Sequence, residues 1–208
     1  VGLSINAVND APELASVSDV SFDEDGESIP ITLLADDDDT DDTQSFSITE
    51  GTDIIESLSG SDLSFSAPAN YNGSENFTIT VTDSGGLTDT QIITVTVNAV
   101  NDAPVADTGL SGSGEEDQSI SVLLSGSDVD GDVLSYSITS DPTNGTVEIS
   151  GSNAVYTPNE DYNGSDSFEF TVTDTGGLSD TATVGLSINA VNDAPELASV
   201  SDVSFDED

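Results

Sequence analysis

No lysine, arginine or histidine occurs in the 208 residues, against 42 aspartates and glutamates and a formal net charge of −42. A chain charged with one sign forms no side-chain salt bridge. It is also a poor partner for nucleic acid or an anionic membrane, both of which are held through basic groups. Cysteine is absent too, which excludes disulfides and thiolate chemistry. Tryptophan and methionine are missing and aromatics make up 5% of the chain, so any core is thin. No run is long or apolar enough to span a membrane and no signal peptide is found, so no membrane insertion is expected of this segment. Thin-cored extracellular domains usually rely on disulfides or a metal. With cysteine gone, metal is the candidate.

What is present is repetition. Asn98-Ala99-Val100-Asn101-Asp102-Ala103-Pro104 recurs at 6–12 and at 189–195, placing the prolines at 12, 104 and 195, 92 and then 91 residues apart. That period suits a small independently folding domain rather than a solenoid unit. Each copy follows an alternating run and ends in proline, which cannot donate to a strand ladder. Residues 184–208 repeat 1–25 without a change. The chain starts in mid-pattern and reads as a window from a longer array. The expected division is 1–8 as the last strand of a preceding repeat, 9–100 and 101–191 as two whole domains, and 192–208 as the start of the next.

Acidic chains with few aromatics are often disordered, but here the apolar residues alternate as they do in strands. Phe168-Glu169-Phe170-Thr171-Val172 puts Phe168, Phe170 and Val172 on one face. Strands are expected at 29–34, 45–49, 54–58, 63–66, 76–82 and 90–97. In the second domain they are expected at 120–124, 134–139, 146–149, 154–157, 167–173 and 181–188, with a short strand after Pro104. Turn pairs such as Asn72-Gly73, Asn144-Gly145 and Gly176-Gly177 separate them. About seven short strands per domain predict an all-β chain of tandem immunoglobulin-like Greek-key β-sandwiches. Phe22, Phe46, Phe65, Tyr71 and Phe77 are the expected core aromatics of the first, and Tyr136, Tyr156, Tyr162, Phe168 and Phe170 of the second.

The acids recur in register. Asp10, Asp102 and Asp193 are followed fourteen residues later by Glu24, Glu116 and Glu207. An acid cluster comes next, Asp36-Asp37-Asp38-Asp39-Thr40-Asp41-Asp42 in the first domain and Asp128-Val129-Asp130-Gly131-Asp132 in the second. Late in each domain stand Asp83 and Asp174, preceded by Asn70 and Asp161. A sandwich gathers its loops at two ends, so these acids should converge there. Two carboxylates about 4 Å apart repel by roughly 4 kcal/mol at an effective dielectric near 20. Diffuse salt or a hard divalent cation relieves this, and a mixed set of carboxylates, Asn side chains and backbone carbonyls suits calcium better than magnesium.

Other chemistry finds little purchase. Asp83-Ser84-Gly85 and Asp174-Thr175-Gly176 match the aspartic-protease signature, but that chemistry needs two carboxylates side by side, whereas here there is one per domain. Asp128, Asp130 and Asp132 resemble the start of an EF-hand, yet Thr139 falls where its late glutamate belongs. No nucleophile–base pair exists beyond carboxylates, so no enzyme is expected.

Val-Asn-Asp-Ala-Pro resembles the cadherin linker motif. Asp128-x-Asp130 resembles the cadherins' paired aspartates, Thr173-Asp174-x-Gly176 their late loop, and Glu24 and Glu116 their early glutamate. More closely, the order Val100–Pro104, Asp128–Asp132, Tyr162–Phe168 and Val172–Gly177 resembles that of bacterial cadherin-like tandem repeats of giant calcium-dependent surface adhesins. The resemblance implies calcium (Ca2+) at the 101–104 junction, held by Glu24, Asn101, Asp102, Asp128, Asp130 and Asp174, with Asp132 in the same cluster. By the same carry-over, Glu116, Asp161, Asn192 and Asp193 serve the 192–195 junction. Asn9, Asp10 and Asp83, with Asp36 or Asp38, serve the junction at 9–12. Ala99 replaces the leading acid of the cadherin linker, Asn70 stands where Asp161 does, and Thr40 interrupts the first acid cluster. The function implied is a calcium-rigidified extender in a secreted adhesin or fibre, at a bacterial cell surface or in a biofilm matrix. Its partners would be calcium ions, neighbouring repeats head to tail, and further arrays laterally. A carbohydrate- or protein-binding module is the alternative.

Overall fold

The computed structural model describes residues 8–39 and 42–195, together with 197, 202 and 204. The strand expected at 1–8 lies, except for Val8, outside the described residues, as do Thr40, Asp41, Glu207 and most of the segment after Pro195. The chain divides into two compact units between Val100 and Asn101. Neither contains a helix among its described residues, and the fold is all-β.

Unit 1 runs β1 (Glu13–Leu14), β2 (Val20–Asp23), β3 (Ile31–Thr32), β4 (Ala35–Asp36), β5 (Ser45–Ile48), β6 (Ile55–Ser59), β7 (Asp62–Ser66), β8 (Gly73–Thr82) and β9 (Thr88–Asn98). One sheet has the order β2-β9-β8-β5, the other β3-β7-β6, and β1 pairs with β4. All pairs are antiparallel except β2 with β9. Unit 2 repeats the plan with β10 (Val105–Ala106), β11 (Ser111–Glu115), β12 (Ile120–Leu123), β13 (Gly126–Ser127), β14 (Ser135–Ser140), β15 (Gly145–Ser150), β16 (Asn153–Pro158), β17 (Gly164–Thr173) and β18 (Ser179–Asn189). Its sheets are β11-β18-β17-β14 and β12-β16-β15, again with the first strand of the larger sheet parallel to the last.

Period-two alternation builds both cores. Phe77, Ile79 and Val81 point inward from β8, as do Ile93, Val95 and Val97 from β9, and all are buried. Phe65 from the opposite sheet meets Phe77 with ring centroids 5.0 Å apart. Phe168, Phe170 and Val172 do the same work in β17. Of the expected core aromatics, Phe46, Tyr71, Tyr136 and Tyr162 are only half-buried and pack against the core margin.

Strands β1, β2, β4, β11 and β13 lie outside the expected stretches. Of the stretch expected at 29–34 only β3 (Ile31–Thr32) forms, and β4 follows it at Ala35–Asp36 to pair with β1. Strand β11 reads Ser-Gly-Ser-Gly-Glu and has no apolar side chain. Its glycines serve packing: a Cβ at Gly112 or Gly114 would stand 2.7 Å from side-chain atoms of Ile120 or Val122. Gly114 pairs with Ile188 as Phe22 pairs with Val97 in unit 1. The same 92-residue offset carries Ser28 to Ile120. Ser28 is buried, accepting from the Phe65 N–H at 2.7 Å. The large residue thus comes from β2 in one unit and from β12 in the other.

Candidate metal centre

Each unit gathers acids where the chain enters it. In unit 2, the Asn101 side-chain amide donates to Asp174 Oδ2 at 2.8 Å, and the Asp102 N–H donates to Asp130 Oδ2 at 2.8 Å. Asp128 organises the loop below by accepting from the N–H groups of Asp130 at 2.9 Å and Asp132 at 3.4 Å. The Thr175 hydroxyl donates to Asp132 at 2.6 Å. Asp174 is buried and also accepts from the Leu178 N–H at 2.8 Å. Burial works against its charge, but the donors from Asn101, Leu178, Gly177 and Gly176 prevail and hold the carboxyl below the ordinary aspartate value. Gly176 lies directly against the Asn101 amide, where any Cβ would collide.

Unit 1 is built the same way. Asn9 donates to Asp83 Oδ2 at 2.8 Å and the Asp10 N–H donates to Asp39 Oδ2 at 2.7 Å. The Asp39 N–H donates to Asp37 at 2.9 Å, and the Ser84 hydroxyl bonds Asp42. Asp83 is lowered for the same reasons as Asp174, with Asn9 as the side-chain donor against burial. Oxygens of Asp37, Asp39 and Asp42 lie within 4.8 Å of one another. The structure therefore brings together Asp37, Asp39 and Asp42, not the expected Asp36 and Asp38. Asp36 pairs with Glu13 as Ser127 pairs with Val105, so the counterpart of Asp128 is Asp37. Both Asp36 and Asp38 are exposed.

Where the chain leaves each unit, a buried glutamate receives it. Glu24 Oε1 accepts from the Val100 N–H and Glu116 Oε1 from the Val191 N–H, both at 2.6 Å. Asn163 donates to the second oxygen of Glu116 at 3.0 Å. Beside it, oxygens of Asp117, Asp161 and Asp193 lie within 4.8 Å of one another. Lost hydration and the charges of Asp161, Glu116 and Asp117 raise the Asp193 carboxyl above its ordinary value. The Asn192 side chain donates to the Asp193 carbonyl at 3.2 Å. Asp117 and its counterpart Asp25 escaped the sequence reading. The available signal was an aspartate directly after each early glutamate, a residue type that tolerates the left-handed backbone both adopt at φ 60°.

The bacterial Ig domain family matches twice, at residues 9–96 and 101–187. The chain belongs to that family. No curated protein matches it in sequence. Among solved structures, this bacterial Ig tandem is similar to protocadherin gamma B2 extracellular cadherin domains 1–5, with 19% identity and a TM-score of 0.58 over 89% of this chain and 42% of that one. Domains 3–6 of the same protein give 17% identity and a TM-score of 0.53 over 88% and 51%. The protocadherin gamma B4 extracellular domain gives 18% and 0.53 over 86% and 33%. The chain thus spans about half or less of the length of these structures. At such identities the likeness is one of fold.

Not every acid in these bacterial Ig units is available to a cation. Asp166 accepts from the N–H groups of Asn144 at 2.8 Å, Ser167 at 2.9 Å and Thr143 at 3.1 Å, and from the Tyr156 hydroxyl at 3.0 Å. Glu75 similarly takes the N–H groups of Thr52, Asp53 and Ile54. These carboxylates are consumed in holding loops. In contrast, one oxygen each of Asp37, Asp42 and Asp128 is buried with no hydrogen-bond partner. A buried anionic oxygen without a donor is costly, and no cationic side chain exists in this chain to neutralise it. An all-oxygen set of aspartates and asparagine side chains fits a hard cation such as calcium.

Proposed function

We propose that these domains form a calcium-stiffened repeat segment of a large extracellular adhesin or fibre. The observation that carries the reading is the set of buried, unpartnered oxygens on Asp37, Asp42 and Asp128, in a chain with no cationic side chain to neutralise them. Glu24, Asn101, Asp102, Asp128, Asp130, Asp132 and Asp174 would hold ions at the 101–104 linker. Asn9, Asp10, Asp37, Asp39, Asp42 and Asp83 would act at 9–12. Glu116, Asp117, Asp161, Asn192 and Asp193 would act at 192–195.

The role is mechanical, not catalytic. Empty, the linkers carry like charges that repel and leave successive domains loosely joined. Filled, they tie the last turn of one domain to the loops of the next, head to tail. Extracellular modules bind calcium at roughly 10⁻⁴–10⁻³ M, about 4–5.5 kcal/mol per ion, so a few ions per linker decide between slack and stiff. An extracellular station, at a bacterial surface or in a biofilm matrix, supplies calcium at that level.

Small-angle scattering of the chain in 2 mM calcium and in chelator tests this. Calcium should increase the maximum dimension and reduce the spread of conformations. Identical profiles in the two conditions would refute the mechanical role.

A further inference from the structure

We propose that an array with this 183-residue period alternates between two kinds of junction, which take up calcium at different concentrations. The inference rests on the calcium reading above and concerns its regulation.

Asn70 and Asp161 occupy the same corner of their respective units. Their φ angles are 59° and 58°, and their N–H groups donate to Asp25 and Asp117 at 3.1 and 3.2 Å. The backbone is the same and the side chain differs. In unit 2 the corner presents a carboxylate, whose oxygen stands within 4.8 Å of oxygens of Asp117 and Asp193. In unit 1 it presents a neutral amide, with one acceptor oxygen and no charge.

The entry loops differ in the same sense. Unit 1 has six aspartates between 36 and 42, whereas unit 2 has three, Asp128, Asp130 and Asp132, spaced by Val129 and Gly131. Among the described residues, two unpartnered buried oxygens occur in the first loop, on Asp37 and Asp42, and one in the second, on Asp128.

The order of units then decides the outcome. Because residues 184–208 repeat 1–25, the linker at 192–195 carries the sequence that leads into unit 1. In an array of that period the end bearing Asp161 precedes the six-aspartate loop. The end bearing Asn70 precedes the three-aspartate loop. Both enrichments fall on the same junction instead of being shared between the two. Affinity at oxygen sites rises with the number of charged ligands, so the denser junctions fill first. The lighter ones remain joints until calcium rises further, and the array stiffens in two steps.

Calcium titration calorimetry tests this on two chains. The 208-residue chain holds the lighter junction whole, and the same chain lengthened by a second copy of residues 26–208 holds both kinds. The lengthened chain should show two classes of site with dissociation constants about tenfold apart. Asn70→Asp in the 208-residue chain should tighten binding about tenfold, and Asp161→Asn in the lengthened chain should weaken the tighter class by a similar factor. Both residue types accept a left-handed backbone, so both variants should keep the wild-type circular dichroism spectrum. A single class in the lengthened chain, or variants that leave both constants unchanged, would overturn the alternation while leaving calcium binding intact. No calcium uptake by either wild-type chain would instead overturn the underlying reading.

Discussion

Asn101 reaches across 73 residues of sequence to place its side-chain amide 2.8 Å from Asp174 Oδ2. The first residue of the second unit is thereby fastened to the loop that closes its last hairpin, and Asn9 is fastened to Asp83 in the same manner. In each case a glycine, Gly176 or Gly85, leaves the space the amide occupies.

Gly176→Ala should therefore displace Asn101 without disturbing the core. Orienting contacts behind metal ligands are worth about 10–100-fold in affinity, so calcium binding to the 208-residue chain should weaken by at least tenfold. Calorimetry checks it, with thermal unfolding in chelator as the control that the unit still folds. Unchanged affinity would show that the Asn101 anchor does not position the linker.

The acids divide in their pH response. Asp83, Asp166, Asp174 and Asp180 are lowered in the folded chain. Their stabilisation is present above the unfolded value and is lost as pH falls through the folded values, below about pH 4. Asp193 is raised, so the folded chain takes its proton first, and its contribution is gained as pH falls and lost as pH rises through that value. In chelator, the unfolding temperature should fall on acidification below about pH 4 and, through Asp193, decline on going from mildly acidic to neutral pH. Millimolar calcium should remove that decline. A chelated chain equally stable at pH 5 and pH 8 would contradict this division.

Asp166 and Asp128 offer a contrast between an acid whose oxygens are taken up in holding a loop and one with an oxygen buried without a donor. Asp166→Ala strands the N–H groups of Thr143 and Asn144 and the Tyr156 hydroxyl, and should cost about 1–3 kcal/mol whether or not calcium is present. Asp128→Asn should matter little in chelator and should abolish most of the calcium-induced rise in unfolding temperature. Denaturant unfolding in both conditions separates the two.

The exchange of bulk between Phe22 and Ile120 makes a packing prediction. Ile120→Ser opens a cavity under Gly114 and should destabilise unit 2 by about 3 kcal/mol or more. Gly114→Phe alone overfills the same place, because a Cβ there meets Ile120 at 2.7 Å. Together they reproduce the arrangement of unit 1 and should cost less than the two single changes added. A double-mutant cycle by denaturant unfolding measures the coupling, and strict additivity would count against the exchange.

The long strands were readable because their apolar residues alternate without interruption, as in Phe77-Thr78-Ile79-Thr80-Val81. Strand β11 was not, since its inward positions are glycines and the bulk lies on Ile120 and Val122 across the interior. The asparagine anchors and late aspartates were readable from their repetition at fixed spacing. The choice between Asp36 and Asp37 was not. It depends on whether Ala35–Asp36 continues as strand, and that is fixed by pairing with Glu13 and Leu14 far away in sequence. Asp117 was missed although it recurs 92 residues after Asp25, directly behind the early glutamate. Its approach to Asp161 and Asp193 depends on the turn its left-handed backbone makes.

Strand β11 lies beside β18 and runs in the same direction over five rungs, from Ser111–Gly185 to Glu115–Asn189, and β2 lies beside β9 over four. Each unit thus couples its early part directly to its final strand. A pull applied at the two ends of a unit draws such a pair lengthwise past each other, so the rungs share the load rather than opening one after another. Each of the two domains therefore carries, within its own larger sheet, a latch suited to resisting tension.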